Sequence, residues 1–232
     1  MSAPGPWPDG LVLPGGREVA LGWCEVGAAD VTSLSPAERE GLARCGTGKR
    51  RHEFLAGRVA AHRALARLVP GPRADVSAHT RGPDSGRPFF PSVPDVALSI
   101  SHSAGLAVAA VARGGALGVD LERTLEVGPA FLEEAFAPGE PEGYAAVCAG
   151  RVEPLTAAWT LKEAVLKVWG VGLRAPLQQV RLQPTLLHAR QDVLALRLTL
   201  ELGRLPPDLG LPPTTLAALL VWKDGQVLAL AG

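Results

Sequence analysis

Residues 96–123 read VALSISHSAGLAVAAVARGGALGVDLER, and this stretch carries most of the information about the fold. Val, Ile, Leu and Ala fill three runs that are typical of β-strands, at residues 96–100, 107–112 and 117–121. Residues 101–105, Ser-His-Ser-Ala-Gly, predict a tight turn, and Gly114 with Gly115 predicts a hairpin turn. The stretch therefore predicts consecutive antiparallel strands.

A long helix is predicted before this stretch. Ser35 followed by Pro36 indicates a helix start, because serine is a favourable N-cap and proline is favourable at the first helical position. Residues 46–50 are expected to form a loop that adds donors to a basic patch. In residues 51–69 one helical face is apolar, and Arg63 and Arg67 lie opposite. The apolar positions are Phe54, Ala61, Leu65 and Leu68.

A second helix is predicted after the stretch, at residues 155–169. Its buried stripe comprises Ala158, Leu161, Val165 and Val168, and its opposite face comprises Thr156, Thr160, Glu163 and Lys167. Strands are expected at residues 180–182, 193–200, 216–222 and 227–230, with a turn at 223–225. Residues 81–94 are too rich in proline for a central strand and predict a loop.

Single helices that alternate with antiparallel hairpins favour an α+β fold over a doubly wound parallel sheet. Each half of the chain offers a strand, a helix with basic groups on its polar face and closing hairpin strands. A weak twofold repeat fits this order, although no residue-by-residue match supports it. We place the boundary near Gly115, which gives an N-terminal half of residues 1–115 and a C-terminal half of residues 116–232.

The composition excludes several classes of protein. The 232 residues are 47% hydrophobic and 20% charged, which is typical of a globular chain rather than a disordered or fibrous one. The net charge is zero, so there is no overall attraction to nucleic acid or to an anionic membrane. Three widely spaced cysteines, no recognisable signal peptide and no apolar run near membrane-spanning length predict a cytoplasmic protein.

The charges are nevertheless separated along the chain. Residues 44–87 hold ten Lys and Arg against three Asp and Glu, a net of +7. Residues 120–163 hold nine acids against three bases, a net of −6. The two blocks either attract each other within the fold, or form an anion-binding wall and a metal-binding wall of one site.

Two groups of charged residues could carry chemistry. Asp120 and Glu122 are two apart on a predicted strand, so both carboxylates point to one side, where a hard divalent cation would relieve their repulsion. An exposed strand face explains the same pattern. Glu163 and Lys167 are one helical turn apart and could form an ordinary ion pair. Alternatively, Glu163 is a third metal ligand or a general base, and Lys167 is a cation that faces a phosphate.

Ser101 and His102 follow a Gly-Arg-Pro element that contains Arg87. A hydrolase is disfavoured because neighbours in sequence diverge and no Gly-x-Ser-x-Gly motif occurs. The two side chains either belong to an ordinary structural turn or bind phosphate through charge-assisted hydrogen bonds. Residues 46–50 lack the spacing of a phosphate-binding loop.

Gly-Arg-Pro, Ser-Ile-Ser-His-Ser, Gly-Val-Asp-Leu-Glu and Trp-Thr-Leu-Lys-Glu-Ala-Val-Leu-Lys, in this order, resemble motifs of the 4'-phosphopantetheinyl transferase superfamily. The resemblance covers residues 51–173, and the chain length and third acid Glu122 are similar to the Sfp-type branch. It implies a monomeric pseudodimer of two similar α+β halves, each a small antiparallel sheet packed on a helix. The N-terminal half would supply the wall that binds coenzyme A phosphates, and the C-terminal half the metal-binding acids and catalytic helix.

The resemblance also implies an activity. A phosphopantetheine arm would pass from coenzyme A to a serine of an acyl or peptidyl carrier protein, and adenosine 3',5'-bisphosphate would be released. Mg²⁺, or alternatively Mn²⁺, would be held by Asp120, Glu122 and Glu163. Glu163, or a water bound to the metal, would accept the serine proton, and Lys167 would face the pyrophosphate. The remaining coenzyme A ligands would be Arg51, Arg58, Arg63, Arg87, Ser101 and His102.

Other functions remain open at this point. The same scaffold could bind or sense coenzyme A without transferring its arm. A magnesium nuclease is disfavoured, because the basic residues are not interleaved with aromatic ones. No nucleic-acid or membrane partner is therefore expected. In the family, residues 137–150 border the carrier-protein surface, so this segment bears on which carrier fits.

Overall fold

The computed structural model describes residues 7–71, 73–79, 86–206, 209–210 and 213–232. Up to residue 113 the elements are β1 (Gly10–Val12), β2 (Glu18–Glu25), α1 (Pro36–Ala43), α2 (Gly48–Leu68), β3 (Ser77–Ala78), β4 (Pro88–Phe89), β5 (Val96–Ser103) and β6 (Leu106–Arg113). The elements that follow are β7 (Gly118–Arg123), α3 (Pro129–Ala135), α4 (Tyr144–Cys148), α5 (Pro154–Trp169), β8 (Val180–Arg190), β9 (Val193–Leu202), β10 (Thr215–Lys223) and β11 (Gln226–Ala231).

Two antiparallel sheets organise the molecule. The first has the order β1-β2-β6-β5 and the second the order β7-β11-β10-β9-β8. Apolar side chains form one core between α2 and the first sheet, a second core between the two sheets, and a third between the second sheet and α5. The result is a stack of helix, sheet, sheet and helix, which confirms the predicted α+β class.

The start of α2 differs from the prediction. Thr47 is its N-cap, and the Thr47 side chain accepts a hydrogen bond from the main-chain nitrogen of Arg50 at 3.2 Å. The helix therefore begins at Gly48, and Lys49 and Arg50 lie in its first turn rather than in the expected loop. The predicted start of α1 is confirmed, because Ser35 and Glu38 form a capping box with Pro36 at the first position.

The predicted turn at residues 101–105 is too long. Ser101, His102 and Ser103 continue β5 and pair with β6, so only Ala104 and Gly105 make the turn, with φ of 49° and 81°. A two-residue connection with positive φ matches the twist of paired strands. The predicted site residues Ser101 and His102 consequently lie on a strand, where they point to opposite faces.

The predicted hairpin turn at Gly114 and Gly115 is wrong. The chain leaves the first sheet there, and β7 pairs with β11 of the second sheet instead of with β6. The Arg17 guanidinium donates hydrogen bonds to carbonyl groups of this crossover, including that of Ala116 at 2.7 Å. These bonds satisfy carbonyl groups that a hairpin would have paired with a neighbouring strand.

A glycine lets each long helix lie directly on a strand. A Cβ on Gly22 of β2 would lie 2.1 Å from the carbonyl oxygen of Ala60, and one on Gly118 of β7 would lie 1.9 Å from that of Ala164. Both glycines follow Ala-Leu, at residues 20–22 and 116–118. The two halves of the chain therefore share the tripeptide Ala-Leu-Gly at equivalent helix-strand contacts, as a twofold repeat predicts.

Helix α5 is more buried than predicted. Thr156 and Thr160, expected on the polar face, are buried, because that face packs on β7. The Glu153 carboxylate caps the helix by accepting hydrogen bonds from the main-chain nitrogens of Leu155 and Thr156. Glu163 and Lys167 are therefore presented to the junction between the sheets rather than to bulk solvent.

The remaining expectations have mixed outcomes. The loop at residues 81–94 is described only from Gly86, where its single ordered element is β4, paired with β3. Arg81 and Asp84 of the basic block lie outside the described residues. None of the described helices combines the length and hydropathy needed to span a membrane.

Candidate active site

The candidate site lies where the edge strand of one sheet meets the edge strand of the other. The face of β5 turned toward β7 carries Ser99, Ser101 and Ser103, and the opposite face carries Ile100 and His102. The Ser101 hydroxyl donates to Asp120 Oδ1 at 2.7 Å, and the Ser103 hydroxyl donates to Glu122 Oε2 at 2.9 Å. The predicted acids on β7 are thus held by the first sheet.

Asp120 is the most enclosed of the three predicted acids, with 3% of its surface exposed. Its Oδ1 also accepts a hydrogen bond from Lys167 Nζ at 2.6 Å, and the same nitrogen donates to the Val119 carbonyl at 3.0 Å. Its Oδ2 is buried without any hydrogen-bond partner among the described residues. A buried carboxylate oxygen without a partner is costly, and a cation or a donor from a substrate would satisfy it.

The other two acids are partly shielded from water near Asp120. Burial, followed by the charge of Asp120, raises the pKa of Glu163 to about 7, although Lys167 opposes this shift. Burial, again followed by the charge of Asp120, raises the pKa of Glu122, and hydrogen bonds from Ser103 and Trp159 oppose it. The three carboxylates therefore form one electrostatically coupled cluster.

The donor set suits a hard divalent cation in its chemistry. Asp120, Glu122 and Glu163 supply only carboxylate oxygens, and within the described ranges no hydrogen-bond partner competes for Asp120 Oδ2. Among the described residues, however, no three metal-ligating side chains converge closely enough to form a coordination sphere by themselves. The acids fit a metal that also takes ligands from a substrate or from water, as Mg²⁺ commonly does.

A cavity of about 290 Å³ is connected to these acids through Lys167, which lines it and donates to Asp120, whereas none of the three acids is in its lining. It is lined by Arg87 and Lys167 together with main-chain atoms and side chains of β5 and of the loop after α5. Arg87 also donates a long hydrogen bond of 3.4 Å to the Val168 carbonyl near the end of α5. The structure thus brings together two of the predicted coenzyme A ligands, which are far apart in sequence.

His102 lies on the other face of β5, toward the start of α2. Its Nδ1 is 3.8 Å from a carboxylate oxygen of Glu53, which also pairs with Lys49 at 3.8 Å. The Glu53 carboxylate therefore lies between the Lys49 ammonium and the half-exposed imidazole, near the positive end of the α2 dipole. An anion at the start of α2 would be attracted by the dipole and by Lys49, and repelled by Glu53.

The predicted arginines of α2 are spread along the helix. Arg51 donates to the Leu42 carbonyl at 3.0 Å, and the Arg58 guanidinium lies 4.1 Å from the Phe54 ring centre. Arg63 donates to the Trp23 carbonyl on β2. At about 1.5 Å per residue, Arg63 lies roughly 18 Å along the helix from Arg51, so the structure does not gather the three around one point.

The two charge blocks are only partly walls of a site. Glu140, from the acidic block, is buried and pairs with buried Lys162 at 2.9 Å, and Glu153 caps α5. Arg73, from the basic block, pairs with Glu38 at 3.0 Å. Neither pair joins the two blocks, because Lys162 belongs to the acidic block itself and Glu38 to neither block. These charges stabilise the fold locally, and the two-wall interpretation stays a prediction.

Sequence reasoning missed two side chains of this site. The sequence predicts a turn at Ser103, and the motif that contains Trp159 indicates no separate role for its side chain. The signal for Ser103 was the alternation of serines at residues 99, 101 and 103, because residues two apart share one strand face. The signal for Trp159 was its place one helical turn before Glu163.

Comparison with known proteins identifies the family of the chain. A sequence model of the 4'-phosphopantetheinyl transferase N-terminal domain matches residues 38–112, and the model of the 4'-phosphopantetheinyl transferase superfamily matches residues 116–197. Together the two matches cover more than half of the chain. The chain belongs to the 4'-phosphopantetheinyl transferase superfamily.

Similar proteins place the chain in the Sfp-type branch. It is 27% identical over 148 residues to the 4'-phosphopantetheinyl transferase Sfp of Bacillus subtilis, covering 62% of this chain and 63% of Sfp. It is 36% identical over 147 residues to the 4'-phosphopantetheinyl transferase Svp of Streptomyces mobaraensis, covering 60% of this chain and 55% of Svp.

A shorter match is to the holo-[acyl-carrier-protein] synthase of Roseiflexus sp., with 45% identity over 49 residues, or 21% of this chain and 33% of that protein. The matched region spans less than two thirds of each of these three relatives.

Proposed function

We propose that this protein is a 4'-phosphopantetheinyl transferase that uses coenzyme A, a divalent cation and an apo carrier protein. One observation carries the proposal: Asp120 Oδ1 accepts hydrogen bonds from Lys167 and Ser101, its buried Oδ2 has no partner in the described part of the chain, and Lys167 also lines a cavity with Arg87. A pyrophosphate carries negative charge that cations must balance. The cavity and the acids together meet both needs of such a substrate.

Each chemical role falls to named residues. Asp120, Glu122 and Glu163 would hold Mg²⁺ or Mn²⁺, which when bound would neutralise charge on the substrate pyrophosphate. Lys167 and Arg87 would bind the pyrophosphate oxygens from the cavity side. Ser101 and His102 remain proposed ligands of the adenosine phosphates, with Arg51, Arg58 and Arg63 on α2. The Ser101 hydroxyl has one proton and donates it to Asp120. A phosphate would therefore accept a hydrogen bond from another atom of Ser101, or the hydroxyl would turn from Asp120 to the phosphate.

The transfer itself needs one bond to form and one to break. The carrier serine oxygen attacks the phosphorus that bears the pantetheine arm, and a new P–O bond forms. The bond from that phosphorus to the bridging oxygen breaks, and adenosine 3',5'-bisphosphate leaves with the electron pair. Glu163 accepts the serine proton, directly or through water. Lys167 balances the charge that develops on the departing group.

The carrier protein would approach from the opposite end of α5. A largely apolar groove of about 710 Å³ lies there, between α3, the loop before α4 and the start of α5. Leu155 in its wall is eight residues before Glu163, or about 12 Å along the helix, and Lys167 is about 6 Å beyond Glu163. Carrier and coenzyme A would therefore reach Glu163 from opposite sides.

Intact-mass spectrometry of the carrier tests the proposal. With coenzyme A and Mg²⁺, an apo acyl or peptidyl carrier protein should gain the mass of one phosphopantetheine arm. Adenosine 3',5'-bisphosphate should appear in equal amount. A carrier whose acceptor serine is replaced by alanine, and a reaction containing EDTA, are the controls.

Two alternatives give different results in the same assay. A protein that only binds coenzyme A would retain it in equilibrium dialysis, yet no carrier in a panel of fatty-acid, polyketide and peptide-synthetase carriers would gain mass. The geometry disfavours that alternative, because a binding protein has no need for Glu163 beside Asp120. A magnesium nuclease would degrade DNA or RNA in the same buffer.

A further inference from the structure

Three serines on β5 form a ladder toward β7. Ser99 Oγ accepts a hydrogen bond from the main-chain nitrogen of Val119 at 2.9 Å. The hydroxyls of Ser101 and Ser103 donate to Asp120 and Glu122, at 2.7 Å and 2.9 Å. We call Ser99, Ser101 and Ser103 the serine ladder. Ser99 binds the main chain of β7, and Ser101 and Ser103 bind the carboxylates of β7.

The ladder lies where two sheets meet without main-chain pairing. β5 is the last strand of the first sheet and β7 the first strand of the second, and the two are not hydrogen-bonded neighbours. They pack along each other nonetheless. Edge strands present unpaired main-chain groups. Between β5 and β7, serine hydroxyls form the hydrogen bonds that main-chain pairing would form between neighbouring strands of one sheet.

A hydroxyl controls the orientation of the carboxylate that it meets. The terminal torsion of a glutamate side chain is broad, so an unrestrained carboxylate samples many orientations. Ser103 has one proton and donates it to Oε2 of Glu122, which leaves Oε1 without a serine partner. Ser101 does the same for Asp120, whose Oδ2 has no hydrogen-bond partner among the described residues. Each of the two hydroxyls therefore fixes one carboxylate oxygen, and on Glu122 the Trp159 side chain adds a further hydrogen bond.

We propose that Ser103 is a positioning residue that orients Glu122 for cation binding, as Ser101 orients Asp120. The inference rests on the proposed function, because it assumes that Asp120 and Glu122 hold the divalent cation. The first sheet, which contributes no acid to the site, would then contribute to metal affinity through two hydroxyls. Groups that hydrogen-bond to metal-ligating carboxylates commonly change metal affinity by about 10- to 100-fold.

Titration of the purified full-length protein with Mn²⁺, followed by electron paramagnetic resonance of free Mn²⁺, tests the inference without measuring activity. Ser103→Ala should raise the Mn²⁺ dissociation constant about tenfold, because Glu122 loses its orienting bond. Ser103→Thr keeps a hydroxyl and should restore affinity to near the wild-type value. The melting temperature of both variants should stay close to that of the wild type, because Ser103 is only partly buried.

Ser99→Ala is the matched control on the same strand face. It removes a partner of a buried main-chain nitrogen, so it should lower the melting temperature and leave the Mn²⁺ dissociation constant nearly unchanged. If Ser99→Ala raised that constant as much as Ser103→Ala, the ladder would act only through packing of the two edges, and the positioning role would be rejected.

The design separates failure of this inference from failure of the proposed function. Asp120→Ala should abolish Mn²⁺ binding. If the wild type binds Mn²⁺, Asp120→Ala does not, and Ser103→Ala binds as tightly as the wild type, the inference alone is wrong. If the wild type binds no Mn²⁺ with or without coenzyme A, the proposed metal site and the inference both fall.

Discussion

Lys162 and Glu163 are neighbours in sequence but differ completely in environment. Lys162 is fully buried, and its ammonium donates to Glu140 and to the carbonyl groups of Ala135 and Leu177. Glu163 lies near Asp120 and Lys167. Successive helix positions are about 100° apart. Lys162 therefore stabilises the core, whereas Glu163 faces the candidate site. Sequence alone gave the pair no such division.

Replacing Glu163 by glutamine tests its role as proton acceptor. Glu163→Gln keeps the size of the side chain but removes its basic carboxylate. We expect transfer to a carrier to fall by at least about 100-fold, as for loss of a general base. Coenzyme A binding should remain measurable by calorimetry. Turnover at the wild-type rate would exclude Glu163 as the acceptor.

Glu38 is a buried carboxylate that joins separate parts of the N-terminal half. Its oxygens contact His62 at 2.7 Å and Arg73 at 3.0 Å, and accept a hydrogen bond from the main-chain nitrogen of Val76 at 3.0 Å. Burial alone would raise the pKa of Glu38. The hydrogen bonds from His62, Ser35 and Val76 outweigh burial and lower the pKa to about 2.

This shift predicts how stability depends on pH. The pKa of Glu38 is 4.5 in the unfolded chain and about 2 in the folded protein. The stabilisation is complete above pH 4.5 and is lost as pH falls toward 2. Its size is about 3 kcal/mol. Urea unfolding of Glu38→Gln should give a lower free energy of unfolding at pH 7 and a shallower loss below pH 4.5 than the wild type. Equal slopes would contradict this account.

At the scale of elements, regular hydrophobic patterns were predictable and the junction was not. The strands of residues 96–123 and both long helices follow from their apolar periodicity. The chain order of β6 and β7 suggested a hairpin, because Gly114 and Gly115 satisfy the local rule for such a turn. Arg17 and the partner strand β11, both distant in sequence, decide instead that the chain crosses to a second sheet. Long-range contacts of this kind leave no local signal.

Substitution of Gly118 tests whether α5 packs directly on β7. A Cβ there would overlap the Ala164 carbonyl, so Gly118→Ala must displace α5 and with it Glu163 and Lys167. We expect a loss of roughly 2–3 kcal/mol in the free energy of unfolding, as for overpacking, together with loss of coenzyme A binding. Gly48→Ala is the control and should be nearly neutral, because a Cβ there would meet no atom of the other described residues within 4 Å apart from the backbone of its own helix. A stable Gly118→Ala variant that binds coenzyme A would contradict the packing argument.

At the scale of the whole molecule, two similar helix-on-strand units carry different side chains at equivalent positions. Arg63 donates to the carbonyl after Gly22, as Lys167 does to the carbonyl after Gly118. If Gly22 is matched to Gly118 and Ala60 to Ala164, Cys24 of the first unit is equivalent in position to Asp120 of the second, and Val59 is equivalent to Glu163. Only the second unit therefore has the acids of the proposed site, and the first contributes basic groups and hydroxyls.

The sequence predicted the class of fold, the candidate acids and the family from local motifs. It did not reveal that Ser101 and Ser103 contact those acids, because the contact depends on how the two sheets meet. The zero net charge also gave no sign of how the charges are used. Some of them form the candidate site between the sheets, and others form buried pairs that stabilise the fold, such as Glu140 with Lys162.

The central claim is that one site at this junction holds the cation on the acids of β7 and α5 and the coenzyme A phosphates on the opposite side. Anomalous diffraction from crystals grown with coenzyme A and Mn²⁺ measures this directly. We predict an anomalous peak among Asp120, Glu122 and Glu163, with the pyrophosphate next to Lys167 and Arg87. Mn²⁺ bound at another place, or a pyrophosphate that contacts neither Lys167 nor Arg87, would contradict the account.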